Sequence, residues 1–176
     1  MRRSAAALVC LAAVAAPSVA WAGPNDNSNR RPWSLQIGAG PALDIPFDYA
    51  AAKVGVDFQY HFKKGDVGPA LGGLVHTIFN CCSVSFVTGP MFLWDFRVFT
   101  SSKAKLYLAP HAAAGIGVNF DAGASAFFFG EIGGQFKGIF NDRVGFFVRP
   151  ASFSLFAGPY GTYGFWSFFT GLALSF

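Results

Sequence analysis

Between Val54 and Phe62 the side chains alternate without a break. Val54, Val56, Phe58, Tyr60 and Phe62 fall on one face; Gly55, Asp57, Gln59 and His61 fall on the other. A period of two is that of an extended strand with a different environment on each side. The same rhythm sets Trp33, Leu35, Ile37 and Ala39 against Ser34, Gln36, Gly38 and Gly40. Phe92, Trp94, Phe96 and Val98 likewise stand opposite Met91, Leu93, Asp95 and Arg97. Further strands are expected over about Val67 to Phe79, Val84 to Phe99, Lys105 to Val118, Phe127 to Phe140, Val144 to Phe156 and Tyr163 to Phe176, which makes eight. Residues 63–66, 100–104 and 141–143 read as short charged turns, and 44–52, 80–83, 119–126 and 157–162 as longer loops rich in Pro, Gly or Cys. Pro69, Pro90, Pro110 and Pro150 each remove a ladder donor, so each should mark a bulge or a strand end.

The solvent for these strands follows from composition. Hydrophobic residues make up 53% of the chain and charged residues 12%, with 22 Phe and 21 Gly; mean hydropathy is +0.40. This is too apolar for an ordinary soluble domain and points to lipid. Lipid requires every backbone polar group to be paired internally, in helices or in a closed barrel. Val67 to Trp94 and Pro150 to Phe176 carry no Asp, Glu, Lys or Arg, as a membrane helix would require. Pro69, Gly72, Gly73, Gly89 and Pro90 interrupt the first run, and Gly158, Pro159, Gly161 and Gly164 the second. Gly and Pro at that density oppose a helix. The expected fold is therefore all-β: an eight-stranded antiparallel transmembrane up-and-down barrel, with short turns on one side of the membrane and longer loops on the other.

The start of the chain supports export. Arg2 and Arg3 precede an apolar run from Ala5 to Ala16, and Ala20-Trp21-Ala22 is a small-x-small cleavage site. Residues 1–22 thus read as a signal peptide, 23–32 as a flexible periplasmic lead-in and 33–176 as the barrel. Basic and acidic residues number 13 and 9, with no basic stripe to recommend nucleic acid.

Two kinds of resemblance add to this. Gly171, Leu174 and Phe176 resemble the C-terminal assembly signal of bacterial outer-membrane barrels, which runs polar-x-Gly-x-x-apolar-x-aromatic; Phe169 stands where that pattern has a polar residue. Leu108-Ala109-Pro110-His111-Ala112-Ala113-Ala114-Gly115-Ile116-Gly117-Val118 and Gly134-Gln135-Phe136-Lys137-Gly138-Ile139-Phe140-Asn141-Asp142-Arg143-Val144-Gly145 resemble stretches of the small OmpA/OmpX-type barrels and the wider outer-membrane β-barrel domain family. The resemblance implies residence in the outer membrane, with lipid and lipopolysaccharide as surroundings and with periplasmic chaperones and the barrel-insertion machinery as partners. It implies no cofactor. The family includes adaptors, adhesion and resistance proteins, small channels and lipid-modifying enzymes, so the fold leaves function open.

If apolar positions face lipid, Asp57, Gln59, His61, Asp95, Arg97, His111, Glu131, Gln135, Lys137 and Arg149 face the lumen. Three acids meet three bases, as a paired buried network requires. An eight-stranded barrel is just wide enough to be filled by side chains, and Met91, Leu93, Tyr107, Phe147 and Phe169 share that interior. His61, His76 and His111 lie on separate strands at different heights, which disfavours a metal site. No segment resembles the active-site motifs of lipid A deacylase or palmitoyltransferase barrels, so no catalytic residue is assigned.

Cys81 and Cys82 remain after export into an oxidising compartment. Adjacent Cα atoms about 3.8 Å apart fall short of the usual disulfide span of about 4.4–6.8 Å, so a vicinal disulfide would be strained. The pair reads as a stiffened loop tip, with intermolecular bridging, redox or metal contact as alternatives. The functional expectation is a structural or interaction barrel acting through extracellular loops. A narrow channel for small or apolar solutes is the alternative, suggested by Gly- and Ala-rich inner faces in the fifth and eighth strands, and a lipid-modifying enzyme comes third.

Overall fold

A computed structural model describes residues 32–45, 49–62, 68–120, 124–159 and 161–176. The expected signal peptide (1–22), the lead-in apart from Pro32, and the turn at 63–66 lie outside the described residues. Eight strands follow one another: β1 (Trp33–Ile45), β2 (Ala50–His61), β3 (Gly68–Phe79), β4 (Val84–Thr100), β5 (Ala104–Phe120), β6 (Ala124–Phe140), β7 (Val144–Gly158) and β8 (Gly161–Ser175). Each pairs with the next, and β8 returns to β1, closing the barrel. All pairings are antiparallel. Closure removes every sheet edge, which is what the hydrocarbon phase demands.

The alternation decides which face is which. On β2, Lys53, Asp57 and Gln59 are buried, while Val54, Val56, Phe58 and Tyr60 are exposed. On β8, Ala173 is buried, and Leu172 and Leu174 are exposed. The exposed set continues around the wall as Ile37, Val75, Ile116, Ile132 and Phe146. A water-soluble barrel of this size would bury such residues; here they form the lipid-facing surface. Trp33 stacks on Phe58 at 4.9 Å and contacts Tyr60 at 4.6 Å, and Tyr60 meets Phe62 at 5.6 Å. These rings gather at the turn end of the barrel, as an interfacial girdle would.

The seam between first and last strands is tight. Gly38 pairs with Gly171, and a Cβ at Gly171 would fall 1.9 Å from the Ile37 carbonyl oxygen. Trp33 N donates to Phe176 O at 3.1 Å, and Phe176 N donates to Trp33 O at 3.0 Å. At the β6–β7 turn, Asn141 (φ 50°) and Asp142 (φ 55°) take left-handed backbone, which Asn and Asp tolerate better than most residues.

Two expectations need correction. The ends do not differ in connection length as supposed. Chain crosses the loop end between Ile45 and Ala50, Phe79 and Val84, Phe120 and Ala124, and Gly158 and Gly161. Residues read as loop continue the ladder instead: Leu43 pairs with Ala50, Asn119 with Ser125, and Ala157 with Thr162. Backbone pairing does not need large side chains, so Ala, Gly and Ser at the strand tips hid it. The prolines also divide. Pro69 lies at the start of β3 and Pro150 at a register shift between Arg149 and Ser152. Pro90 and Pro110 lie within β4 and β5 at neither a strand end nor a register shift; the β4–β5 pairing lapses beside each and resumes in the same register.

Refolded protein should migrate faster on a gel before boiling than after it, and should give a β-type circular dichroism spectrum. A helical spectrum would overturn this architecture.

Candidate functional site

Three carboxylates organise the lumen: Asp57 on β2, Asp95 on β4 and Glu131 on β6, all buried. Each receives one fixed cation. Arg149 Nη2 donates to Asp57 Oδ2, Lys137 Nζ donates to Asp95 Oδ2 at 2.6 Å, and Lys53 Nζ donates to Glu131 Oε2 at 2.6 Å. Each also receives one histidine. His76 Nε2 lies 2.7 Å from Asp57 Oδ1, His61 Nε2 lies 2.7 Å from Asp95 Oδ2, and His111 Nε2 lies 3.3 Å from Glu131 Oε1.

Neutral polar side chains extend the Asp57 and Glu131 units, and a further pair lies beside them. Arg149 donates from Nε to Gln135 Oε1 at 2.8 Å and from Nη2 to Gln36 Oε1 at 2.9 Å. Ser154 Oγ donates to Glu131 Oε2 at 2.9 Å, and Ser34 Oγ to Gln59 Oε1 at 3.1 Å. Rings pack the cations: Arg149 sits 5.3 Å from the Phe147 centroid and 5.5 Å from that of Phe169, with Lys53 5.4 Å from Phe169 on its own account. Such contacts add cation–π attraction to charge pairing.

The pairings cross the lumen. Arg149 reaches from β7 to β2, and Lys137 from β6 to β4. Lys53 reaches from β2 to β6, strands on opposite sides of an eight-membered ring. Leu74, Met91, Leu93, Phe147 and Phe169 share the interior, each at most 1% exposed. Rings pack against small inner-face residues. A Cβ at Gly117 would meet the Phe127 ring at 2.3 Å, and one at Gly38 the Phe147 ring at 2.7 Å.

The structure thus brings together Asp57, Gln59, Asp95, His111, Glu131, Gln135, Lys137 and Arg149 in buried positions, with His61 half-buried beside Asp95. Arg97 is a correction. It keeps the inward parity of Asp95, but it lies near the turn end of β4, beside a register shift between Arg97 and Phe99, and is exposed. Lys53 completes the three-against-three balance in its place. Lys53 shares the parity of Gly55, Asp57 and Gln59, one step before the unbroken alternation that starts at Val54. His76 gave no comparable signal; only the β2–β3 register, with Gly55 opposite His76, places it beside Asp57.

Ser152, His111 and Glu131 approach one another, with Ser152 Oγ 3.4 Å from His111 Nε2. Both contacts use the same ring nitrogen, and Nδ1 makes no hydrogen bond among the described residues. A hydrolytic triad needs one nitrogen for the nucleophile and the other for the orienting acid. Among the described residues no three His, Cys, Asp or Glu side chains converge as a metal site.

At the loop end Cys81 and Cys82 are exposed, their sulfurs 3.1 Å apart, beyond an S–S bond length of about 2.05 Å. The vicinal disulfide considered from the sequence is not formed in this structure. The turn is held instead by Asn80 Oδ1, which accepts from Cys82 N at 2.9 Å and Ser83 N at 2.8 Å. At the seam, Gly171 lies in the tight β1–β8 contact, and Leu174 and Phe176 point outward.

No protein-family model matches the chain, and no curated protein matches it. Among solved structures it is similar to the N-terminal β-barrel domain of Pseudomonas aeruginosa OprF, 15% identical with a TM-score of 0.53, over 80% of this chain and 97% of that one. A looser match is Ail, the attachment invasion locus protein of Yersinia pestis, 12% identical with a TM-score of 0.35, over 81% of this chain and 96% of that one. The fold is that of the small OmpA/OmpX-type eight-stranded barrels.

Proposed function

We propose that the chain is an integral outer-membrane protein whose barrel is sealed, and that its role is structural or in contacts at the cell surface. One observation carries this reading: the lumen is crossed by paired charges and packed with aromatic rings. The apolar outer wall and the small-barrel fold support the membrane location. Export by cleavage after Ala22, insertion by the barrel-insertion machinery after chaperone escort, and contact with lipopolysaccharide belong to the same proposal. Tight strand connections at the loop end shift any contact surface from long loops to the strand tips and the barrel rim. The Gly- and Ala-rich inner faces lose their force as an argument for a channel, because neighbouring rings fill them. Enzymatic activity is not part of the proposal; Ser152, His111 and Glu131 lack the relay geometry and are buried.

Refolded barrel in a planar bilayer should give no steady, discrete conductance. Reproducible unit steps from the folded species would overturn the sealed-lumen reading. Overexpression should leave the lipid A mass spectrum unchanged; a new acylation or deacylation product would replace this proposal with an enzymatic one.

A further inference from the structure

At the loop end the barrel wall lines an open-mouthed recess of about 170 Å³. Ile78, Phe127, Phe156 and Phe165 line it and pack on the hydrophobic core beneath. Phe156 meets Phe127 edge-on at 5.3 Å and Phe165 edge-on at 5.1 Å. Ser85, Asn119 and Ser125 add neutral polar groups, with Ser85 Oγ donating to Asn119 Oδ1 at 3.1 Å. Among the described residues no charged side chain lines the recess. Phe129, Leu74 and Met91, together with the Lys53–Glu131 pair, close the barrel below it.

We infer that this recess is a binding cup for one small, neutral aromatic molecule, between benzene and indole in size, carrying at most one hydrogen-bonding substituent. Volume sets the size: an apolar cavity of about 150 Å³ is enough to bind benzene. The absence of a lining charge among the described residues sets neutrality, since an ion there would lose hydration without a partner. The rings set the class. Three phenylalanines already in edge-to-face contact present both ring faces and edges, the geometry in which a further ring gains more than an alkyl chain of equal area. The Ser85–Asn119 pair offers a hydroxyl and an amide to a single phenol or indole N–H group. This inference rests on the sealed-lumen reading only in that the cup has a bottom, so the molecule is held rather than passed.

The test is titration of the refolded full barrel in nanodiscs with indole, followed by NMR of ring-labelled phenylalanine. Saturable shifts confined to Phe127, Phe156 and Phe165 are expected. Ala51, which also lines the recess, offers a way to fill it. Ala51→Trp should weaken binding by about tenfold or more while keeping heat-modifiable migration, a change that 1.4 kcal/mol of affinity would produce. Ser125→Phe serves the same purpose if Ala51→Trp fails to fold. Benzoate and tryptamine should bind more weakly than indole, and so should hexan-1-ol. Non-saturating partition into the bilayer, or equal binding by the filled variant, would overturn the cup. Equal affinity for hexan-1-ol would overturn its aromatic preference. Conductance without indole binding would sink both readings; conductance with saturable binding would sink only the sealed lumen.

Discussion

Replacing Arg149 with alanine should destabilise the barrel by about 3–5 kcal/mol, the range expected when one partner is removed from a buried ion pair. Arg149 is fully buried and bonds Asp57, Gln135 and Gln36, with Phe147 and Phe169 against its guanidinium. Truncation leaves the Asp57 carboxylate in the lumen with His76 alone and opens a void among the rings. Urea titration of protein folded in lipid vesicles, followed by the gel shift, measures the loss. The double variant Arg149→Met with Asp57→Asn should recover most of it, because the uncompensated charge goes with the cation. A double-mutant cycle separates pair energy from packing. If Arg149→Ala were as stable as the parent, the lumen network would not be what holds the walls together.

Deleting Phe176 should sharply reduce the fraction of chains assembled in the outer membrane. Two effects converge on this residue. Its main chain makes both terminal hydrogen bonds to Trp33, each worth about 0.5–1.5 kcal/mol net. Its ring is exposed on the outer surface, with Phe58 at a centroid distance of 6.4 Å, where an insertion factor could read it. Phe176→Ala keeps the ladder and removes the ring, so it isolates recognition from closure. Both variants should assemble poorly. Normal assembly of both would count against the signal reading, and normal assembly of Phe176→Ala alone would confine the role to the main chain.

Period-two alternation is a local property, which is why the strands and the lumen-facing residues of β2, β4 and β6 could be read directly from the sequence. The β8–β1 closure followed from an even strand count and the apolar spacing of Leu172, Leu174 and Phe176. Where alternation lacked contrast the reading stopped early. Ala50 to Ala52 carry no polar partner set, so the alternation does not mark the start of β2 or the inward parity of Lys53. Gly, Ala and Ser at the strand tips concealed continued pairing and made the loops seem long. Arg97 had the correct parity, but height along the barrel decides burial as much as facing does. Which acid meets which base was out of reach, since it depends on the stagger between strands far apart in sequence. The Gly55–His76 register that delivers His76 to Asp57 is one such case. The recess at the loop end draws on seven different strands, and no local motif marks it.

The three carboxylate units have a consequence for how the barrel forms. Asp57 and Arg149 are 92 positions apart, Lys53 and Glu131 are 78, and Asp95 and Lys137 are 42. None of these cations sits in the same hairpin as its acid. A half-assembled sheet in the bilayer would hold β2 with an unmatched Lys53 and Asp57 until β6 and β7 arrive. Each such charge in a low-dielectric setting carries a penalty of several kcal/mol. Neutralisation of β2 therefore waits for β6 and β7, and species with only the early strands in place are kept scarce. The charge network that crosses the lumen thereby also ties the early strands to the late ones as the barrel forms.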